Sequence, residues 1–237
     1  WRVCWTRCII PCAPTWSWLP APDTYAQLMR QAGDCFVITI SSHLSGSYNA
    51  ACVARNMVLE ERPEQKIHVF DSRSASVGET QLLLFLHEQI QAGYEFEQII
   101  PLADAYIKKL STLFVLEDLG NLLRGGRLKK AAGMVASKIR LCPIMSDDGN
   151  GNIKLVTPSL GMKHALRKLV DIVTDRTLHM AEASVRLVVC VCNSVHRAEK
   201  LKDSFLKKCP AVKEIILVTT GAVSTLYAND GGVVIAF

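Results

Sequence analysis

A run rich in hydroxyl side chains, SSHLSGS at residues 41–47, is the part of this sequence best suited to chemistry. It follows the apolar run 35–40, which predicts a buried strand, and precedes residues 48–60, whose apolar side chains recur at helical spacing. Hydroxyl donors, a glycine and the unpaired N–H groups of a helix N-terminus together suit an anion. In a simpler interpretation, Ser45 or Ser47 only caps the helix. Four hydroxyls in seven positions are more than one cap requires.

An enzyme is the alternative use of the same turn. In a serine-dependent hydrolase, Ser45 would be the nucleophile, with a histidine as base and an aspartate to orient that base. The candidates for the base are His43, His68 and His164, and the candidates for the orienting aspartate are Asp71 and Asp230. However, the sequence around Ser45 lacks the G-x-S-x-G motif of a nucleophile elbow. With six histidines scattered along the chain, a histidine lies near a serine by chance. We therefore expect no catalytic residues and no enzymatic activity.

Asp71 and Ser72 end a second β-rich run, 66–70. Ligand crevices form at the carboxyl ends of strands in α/β sheets. Two interpretations stay open: the pair lines such a crevice, or it caps the helix predicted from Val77.

Composition restricts the class of protein. Of the 237 residues, 49% are hydrophobic and only 21% are charged, which is typical of a globular chain. The formal charge of +5 is modest and spread out, so we expect no nucleic-acid binding. No apolar run approaches the roughly 18 residues of a spanning helix, so we expect no stable membrane insertion.

The nine cysteines have no spacing that convincingly predicts a metal site. Those inside apolar runs, such as Cys35, Cys52 and Cys142, resemble small buried hydrophobic residues of a reducing compartment. We therefore expect a cytoplasmic protein without a metal ion.

Predicted strands and helices alternate along most of the chain, which is typical of βαβ crossovers and a parallel sheet. A new unit begins near Ser111, and the turn cluster 146–152 predicts a hairpin within it. The expected fold class is therefore α/β, with two α/β domains. Residues 17–110 form the first, with a mostly parallel sheet, and residues 111–237 the second, with a mixed sheet and flanking helices.

The first sixteen residues differ from the rest of the sequence. Three of the nine cysteines fall within the first twelve positions, all four tryptophans fall within the first eighteen, and the segment has no clear period. We expect residues 1–16 to lie outside the fold.

Four motifs, in this order, resemble those of the DegV family. SSHLSGSY at 41–48 resembles its SSxLSGTY signature, and VFDS at 69–72 resembles its strand-ending DS element. LGNLLRGGRL at 119–128 is similar to its LxxLxKGGRI element, and CPIM at 142–145, followed by Asp-Gly, is similar to its KPIL…DG segment. The order and spacing agree over roughly residues 17–237.

This resemblance implies a two-domain α/β carrier that binds one long-chain fatty acid and presents its carboxylate to a fatty-acid kinase. It also implies that Ser45, Ser42 and Gly46 hold the carboxylate. A buried carboxylate is costly unless it is hydrogen-bonded, and a Ser/Gly turn at a helix N-terminus supplies donors and a favourable dipole. We expect an apolar slot, lined by the two units, for the acyl tail. No cofactor is implied; the fatty acid is the ligand.

The sequence departs from the family pattern in several places. We expect the family's usual N-terminal segment, which precedes a TSQP motif, to be absent from this sequence. Ser17 begins the stretch in the TSQP place and is the nearest candidate for a hydroxyl ligand there. Tyr227 replaces the histidine of HxGPG, so it donates a hydrogen bond without carrying a charge. Residues 158–166 replace KxRxxKKAL without its arginine, so we expect a different head-group preference.

The basic stretch around Arg124 and Arg127 has three interpretations. It is a structural turn with exposed arginines, a contact for a partner kinase, or a clamp for phosphate. We favour the turn, with partner contact as the next interpretation.

Overall fold

The structure, a computed structural model, describes residues 2–4, 19–128, 141–180 and 185–237. These ranges contain eight helices and nine strands. The chain divides into two compact units. The first comprises Trp1–Ala75, Glu79–Leu110 and Gly149–Asn152, and the second comprises Ser76–Gly78, Ser111–Asp148 and Ile153–Phe237.

The first unit is built on a three-stranded parallel sheet in the order β1-β2-β3. Its strands are β1 (Arg2–Cys4), β2 (Cys35–Thr39) and β3 (Ile67–Asp71). Its helices are α1 (Pro22–Ala32), α2 (Ser47–Glu61), α3 (Val77–Gln91), which begins in the second unit, and α4 (Phe96–Lys109). The expected parallel sheet is confirmed.

All five residues of β2 are buried, because helices cover both faces of this sheet. Side chains alternate between the two faces of a strand. Phe36 packs with α3 and α4, and its ring stacks on Phe96 with the centroids 4.3 Å apart. Val37 packs on the opposite face with α1 and α2. This arrangement explains why the strand is a continuous apolar run.

The strand β1 differs from the expectation that residues 1–16 lie outside the fold. Arg2–Cys4 pairs in parallel with β2, with Val3 opposite Phe36. The ladder is made by backbone groups, so a stretch without side-chain periodicity can form it. Residues 5–16 lie outside the described part of the chain.

The second unit is built on a six-stranded mixed sheet in the order β6-β5-β4-β9-β7-β8, as the predicted fold class requires. Its strands are β4 (Thr112–Val115), β5 (Ile144–Asp147), β6 (Ile153–Thr157), β7 (Val185–Val191), β8 (Val212–Val218) and β9 (Val233–Ala236). Its helices are α5 (Gly120–Arg124), α6 (Met162–Leu178), α7 (Val195–Lys208) and α8 (Ala222–Ala228). Only β7 and β8 pair in parallel among these described strands.

Two apolar clusters cover the faces of this sheet. Leu113 and Val115 of β4 join the cluster formed with α6 and α7, whereas Phe114 packs in the cluster formed with α5 and α8. The predicted hairpin is confirmed, since β5 and β6 pair antiparallel.

The small and apolar residues at 131–139 predict a further helix, but this segment lies outside the described residues. Among the helices that the structure does describe, none is both long and apolar enough to span a membrane.

Candidate functional site

The hydroxyl-rich turn lies between β2 and α2, at the carboxyl end of a parallel strand. The helix begins at Ser47, and Gly46 is its N-cap residue. The site therefore combines two features that favour anions: the carboxyl edge of a parallel sheet, and the N-terminus of a helix of 15 residues.

Ser41 organises the backbone of this turn. It has no exposed surface. Its carbonyl oxygen accepts the N–H groups of Leu44 at 2.9 Å and Ser45 at 3.1 Å. Its Oγ accepts the N–H of His43 at 3.2 Å and donates to the carbonyl of Gly151 at 2.8 Å. No local pattern in the sequence pointed to this role, because the Gly151 contact joins residues 110 positions apart.

Asp71 fixes the turn from the end of β3. Its Oδ1 accepts the backbone N–H of Ser42 at 3.1 Å and that of Arg73 at 3.0 Å. Ser72 Oγ accepts the N–H of Ser74 at 3.2 Å. Within the described residues, the hydrogen bonds of these two side chains therefore do not cap the helix that begins at Val77. Asp71 connects the end of β3 with the turn that follows β2, and Ser72 bonds within its own segment.

Ser45 lies half-buried beside the first turn of α2. Its Oγ is 2.9 Å from Ser47 Oγ and accepts the N–H of Ser47 at 3.3 Å. Part of the capping interpretation therefore holds, because Ser45 satisfies one N–H of the helix. Gly46, the N-cap residue, has no side chain to do so.

The turn keeps several donors unused. Ser42 is half-buried, and its Oγ has no hydrogen-bond partner in the part of the chain that the structure describes. The N–H groups of Gly46, Tyr48 and Asn49 likewise have no acceptor there, as expected at the start of a helix. Burial, and secondarily Cys52, raises the pKa of the Tyr48 phenol, which keeps it neutral. The arrangement can bind a small anionic group.

The other predicted ligands do not lie in this turn. Tyr227 lies half-buried on α8 of the second unit, where it packs against the cluster of α5 and α8. Ser17 lies outside the described residues. The structure therefore brings together Ser42, Ser45 and Gly46, all in the first unit.

The basic stretch forms a turn at the end of α5. Gly125 N–H donates to the Asn121 carbonyl at 2.9 Å, and Gly126 has a φ of +73°, as in a glycine-closed helix end. Arg124 is exposed, but Arg127 is half-buried, which corrects the expectation that both arginines are exposed. The Arg127 guanidinium donates to the Gly125 carbonyl at 2.6 Å and lies 5.7 Å from the centre of the Tyr227 ring.

No catalytic triad forms around Ser45 within the first unit as described. His43 is exposed, and His68 lies on β3 with its ring 4.5 Å from that of Phe70. Neither imidazole bonds to Ser45, whose hydroxyl contacts Ser47. In the described ranges, no group of three or more His, Cys, Asp or Glu residues is arranged to hold a metal ion.

Comparison with known proteins gives a consistent picture. One family model matches residues 16–237 of this chain. Its description is that of an uncharacterised protein of the DegV family. A DegV domain-containing protein of Streptococcus pneumoniae is 33% identical over 219 residues, which are 92% of this chain and 76% of that protein.

Two solved structures extend this similarity to the fold. A DegV family protein from Ruminococcus gnavus, refined with vaccenic acid, is 37% identical with a TM-score of 0.85; the match covers 92% of this chain and 77% of that chain. The Fatty Acid Kinase (Fak) B3 protein of Streptococcus pneumoniae, loaded with linoleic acid, is 30% identical with a TM-score of 0.83, and the match covers 92% and 76% of the two chains.

Proposed function

Because the chain belongs to the DegV family, we propose that it binds one long-chain fatty acid, with the carboxylate at the hydroxyl-rich turn of the first unit. Two similar proteins, at 37% and 30% identity, have structures that contain fatty acids. The observation that carries the proposal is the set of unused donors in the turn: the Ser42 hydroxyl and the N–H groups at the start of α2.

The chemistry of these donors suits a carboxylate. Hydrogen bonds to an ionised acceptor contribute about 1.5–3 kcal/mol each, and a helix N-terminus contributes about 0.3–1 kcal/mol more. The Ser45 hydroxyl can rotate to donate to the ligand while it still accepts the N–H of Ser47. Each buried methylene of the tail contributes about 0.8 kcal/mol, so a long tail gives tight binding without catalytic residues.

We assign the protein a carrier role, in which the bound acid is presented to a fatty-acid kinase in the cytoplasm, where a nucleoside triphosphate is available. This role needs a surface for the partner. Arg124, the last residue of α5, is exposed and is the better candidate, whereas the Arg127 guanidinium already contacts Gly125 and Tyr227.

The test compares two ligands with the same tail. Delipidated protein is titrated by calorimetry with oleic acid and with methyl oleate, which lacks the negative charge. The proposal predicts that oleate binds at one molecule per chain and that the ester binds at least about tenfold more weakly, since charge-assisted hydrogen bonds are lost. Equal affinity for the two ligands would show that the head group is not recognised by its charge.

A further inference from the structure

The tip of the β5–β6 hairpin belongs to the first unit, which also contains the hydroxyl-rich turn. Gly149–Asn152 belongs to the first unit, although β5 and β6 themselves belong to the second. Both glycines of this tip have a positive φ, +85° at Gly149 and +91° at Gly151. The backbone conformation alone therefore favours glycine equally at the two positions.

The surroundings of the two glycines differ. The space where a Cβ of Gly149 would lie is open, with nothing within 4 Å. A Cβ on Gly151 would overlap Ser41 Oγ and would lie 3.1 Å from the Cα of Arg73. Gly151 is thus required by close packing against the turn as well as by its backbone angle.

The contact at Gly151 continues into the turn through one hydroxyl. Ser41 Oγ donates to the Gly151 carbonyl at 2.8 Å and accepts the N–H of His43 at 3.2 Å. Ser41 is fully buried, and its backbone N–H donates to the Ser74 carbonyl at 2.8 Å. The position of Ser41 is therefore set from both sides, by the hairpin tip and by the segment after β3.

We propose that Gly151 is a positioning residue for ligand binding: through the buried Ser41 hydroxyl, the hairpin tip holds the turn in the shape that aims Ser42 and Ser45 at the carboxylate. This inference rests on the proposed function. Hydrogen bonds weaken steeply when the donor–acceptor distance or angle departs from its optimum. A binding group must therefore be held by its supporting residues to within about half an ångström.

The test uses the two glycines as a matched pair. Gly151→Ala and Gly149→Ala introduce the same strain at positive φ, but only the first displaces Ser41. We expect Gly151→Ala to bind oleate about tenfold or more weakly than Gly149→Ala, which keeps an affinity close to that of the unchanged protein. Amide hydrogen exchange at His43, measured without ligand, should be faster in Gly151→Ala alone.

Three outcomes separate the positioning role from the proposed function. Equal oleate affinity and equal His43 exchange in the two variants would overturn the positioning role. If the unchanged protein does not bind oleate, the proposed function fails, and His43 exchange still decides whether Gly151 orders the turn. If Gly151→Ala does not fold, Ser41→Ala removes the same hydroxyl without backbone strain, and unchanged affinity and exchange in that variant would also overturn the role.

Discussion

Ser41 and Ser45 lie four positions apart in one turn, and their hydroxyls have different partners. Ser41 bonds to the backbone at Gly151 and His43, whereas Ser45 is shared between Ser47 and the ligand that we propose. The local pattern was enough to single out Ser42, Ser45 and Gly46 as candidates. It was not enough to identify Ser41 as the buried anchor, because no periodicity connects residues 110 positions apart.

Replacement of Ser45 tests the turn directly. Ser45→Ala should lower the affinity for oleate by about 1–3 kcal/mol, because a partner of the carboxylate is lost in a half-buried site. Isothermal titration calorimetry measures the change. Ser204→Ala removes an exposed hydroxyl that bonds to the Lys200 carbonyl on α7, and it should leave the affinity unchanged. An unchanged affinity in both variants would remove Ser45 from the site.

At the scale of elements, the helices and strands that flank the turn followed from apolar periodicity, because each buries a regular face. Two elements did not follow. The strand β1 pairs through its backbone and has no side-chain period, and α8, AVSTLYA, is too short at seven residues to show a full helical pattern. Contacts with distant parts of the chain, rather than local preference, place both in the fold: β1 pairs with β2, and α8 packs in a cluster with α5.

The end of α1 depends on a residue of the loop between α2 and β3. Gln65, which is 8% exposed, donates its Nε2 to the carbonyl of Met29 at 2.8 Å and also contacts the carbonyl of Gly33. Gln65→Ala leaves these acceptors unsatisfied, so we expect the free energy of unfolding to fall by about 1–3 kcal/mol. Urea denaturation measures this quantity. The control Gln91→Ala, at an exposed helix end, should change it by less than about 0.5 kcal/mol.

The strand β3 contains a titratable group, His68, whose pKa is lowered mainly by burial. Arg55 lowers this pKa further and Asp104 opposes the shift. Since the unfolded chain binds a proton at a higher pH than the folded protein, the free energy of unfolding should decrease as the pH falls below the ordinary histidine value of about 6.5. Above that value it should be independent of this group.

Denaturation curves at several pH values test the sign of this effect. His68→Gln should remove part of the pH dependence between pH 7 and pH 5, whereas His87→Gln, at an exposed position of α3, should retain it. Parallel curves for the two variants would contradict the assignment to His68.

At the scale of the whole molecule, the alternation of predicted strands and helices was sufficient for the fold class, and four ordered motifs were sufficient for the family. The assignment of the hairpin tip to the first unit was not predictable, because β5 and β6 on either side of it belong to the second. The residues predicted to bind the carboxylate are likewise split in the structure: Ser42, Ser45 and Gly46 lie in the first unit, whereas Tyr227 lies in the second.

We propose above all that the folded protein carries one fatty acid. Mass spectrometry of the purified protein, first under native and then under denaturing conditions, with lipid extraction of the released material, tests it most directly. We expect a mass excess of one long-chain fatty acid per chain, which disappears on denaturation and is recovered in the extract. A folded protein without that excess mass, which also fails to take up added oleate, would contradict it.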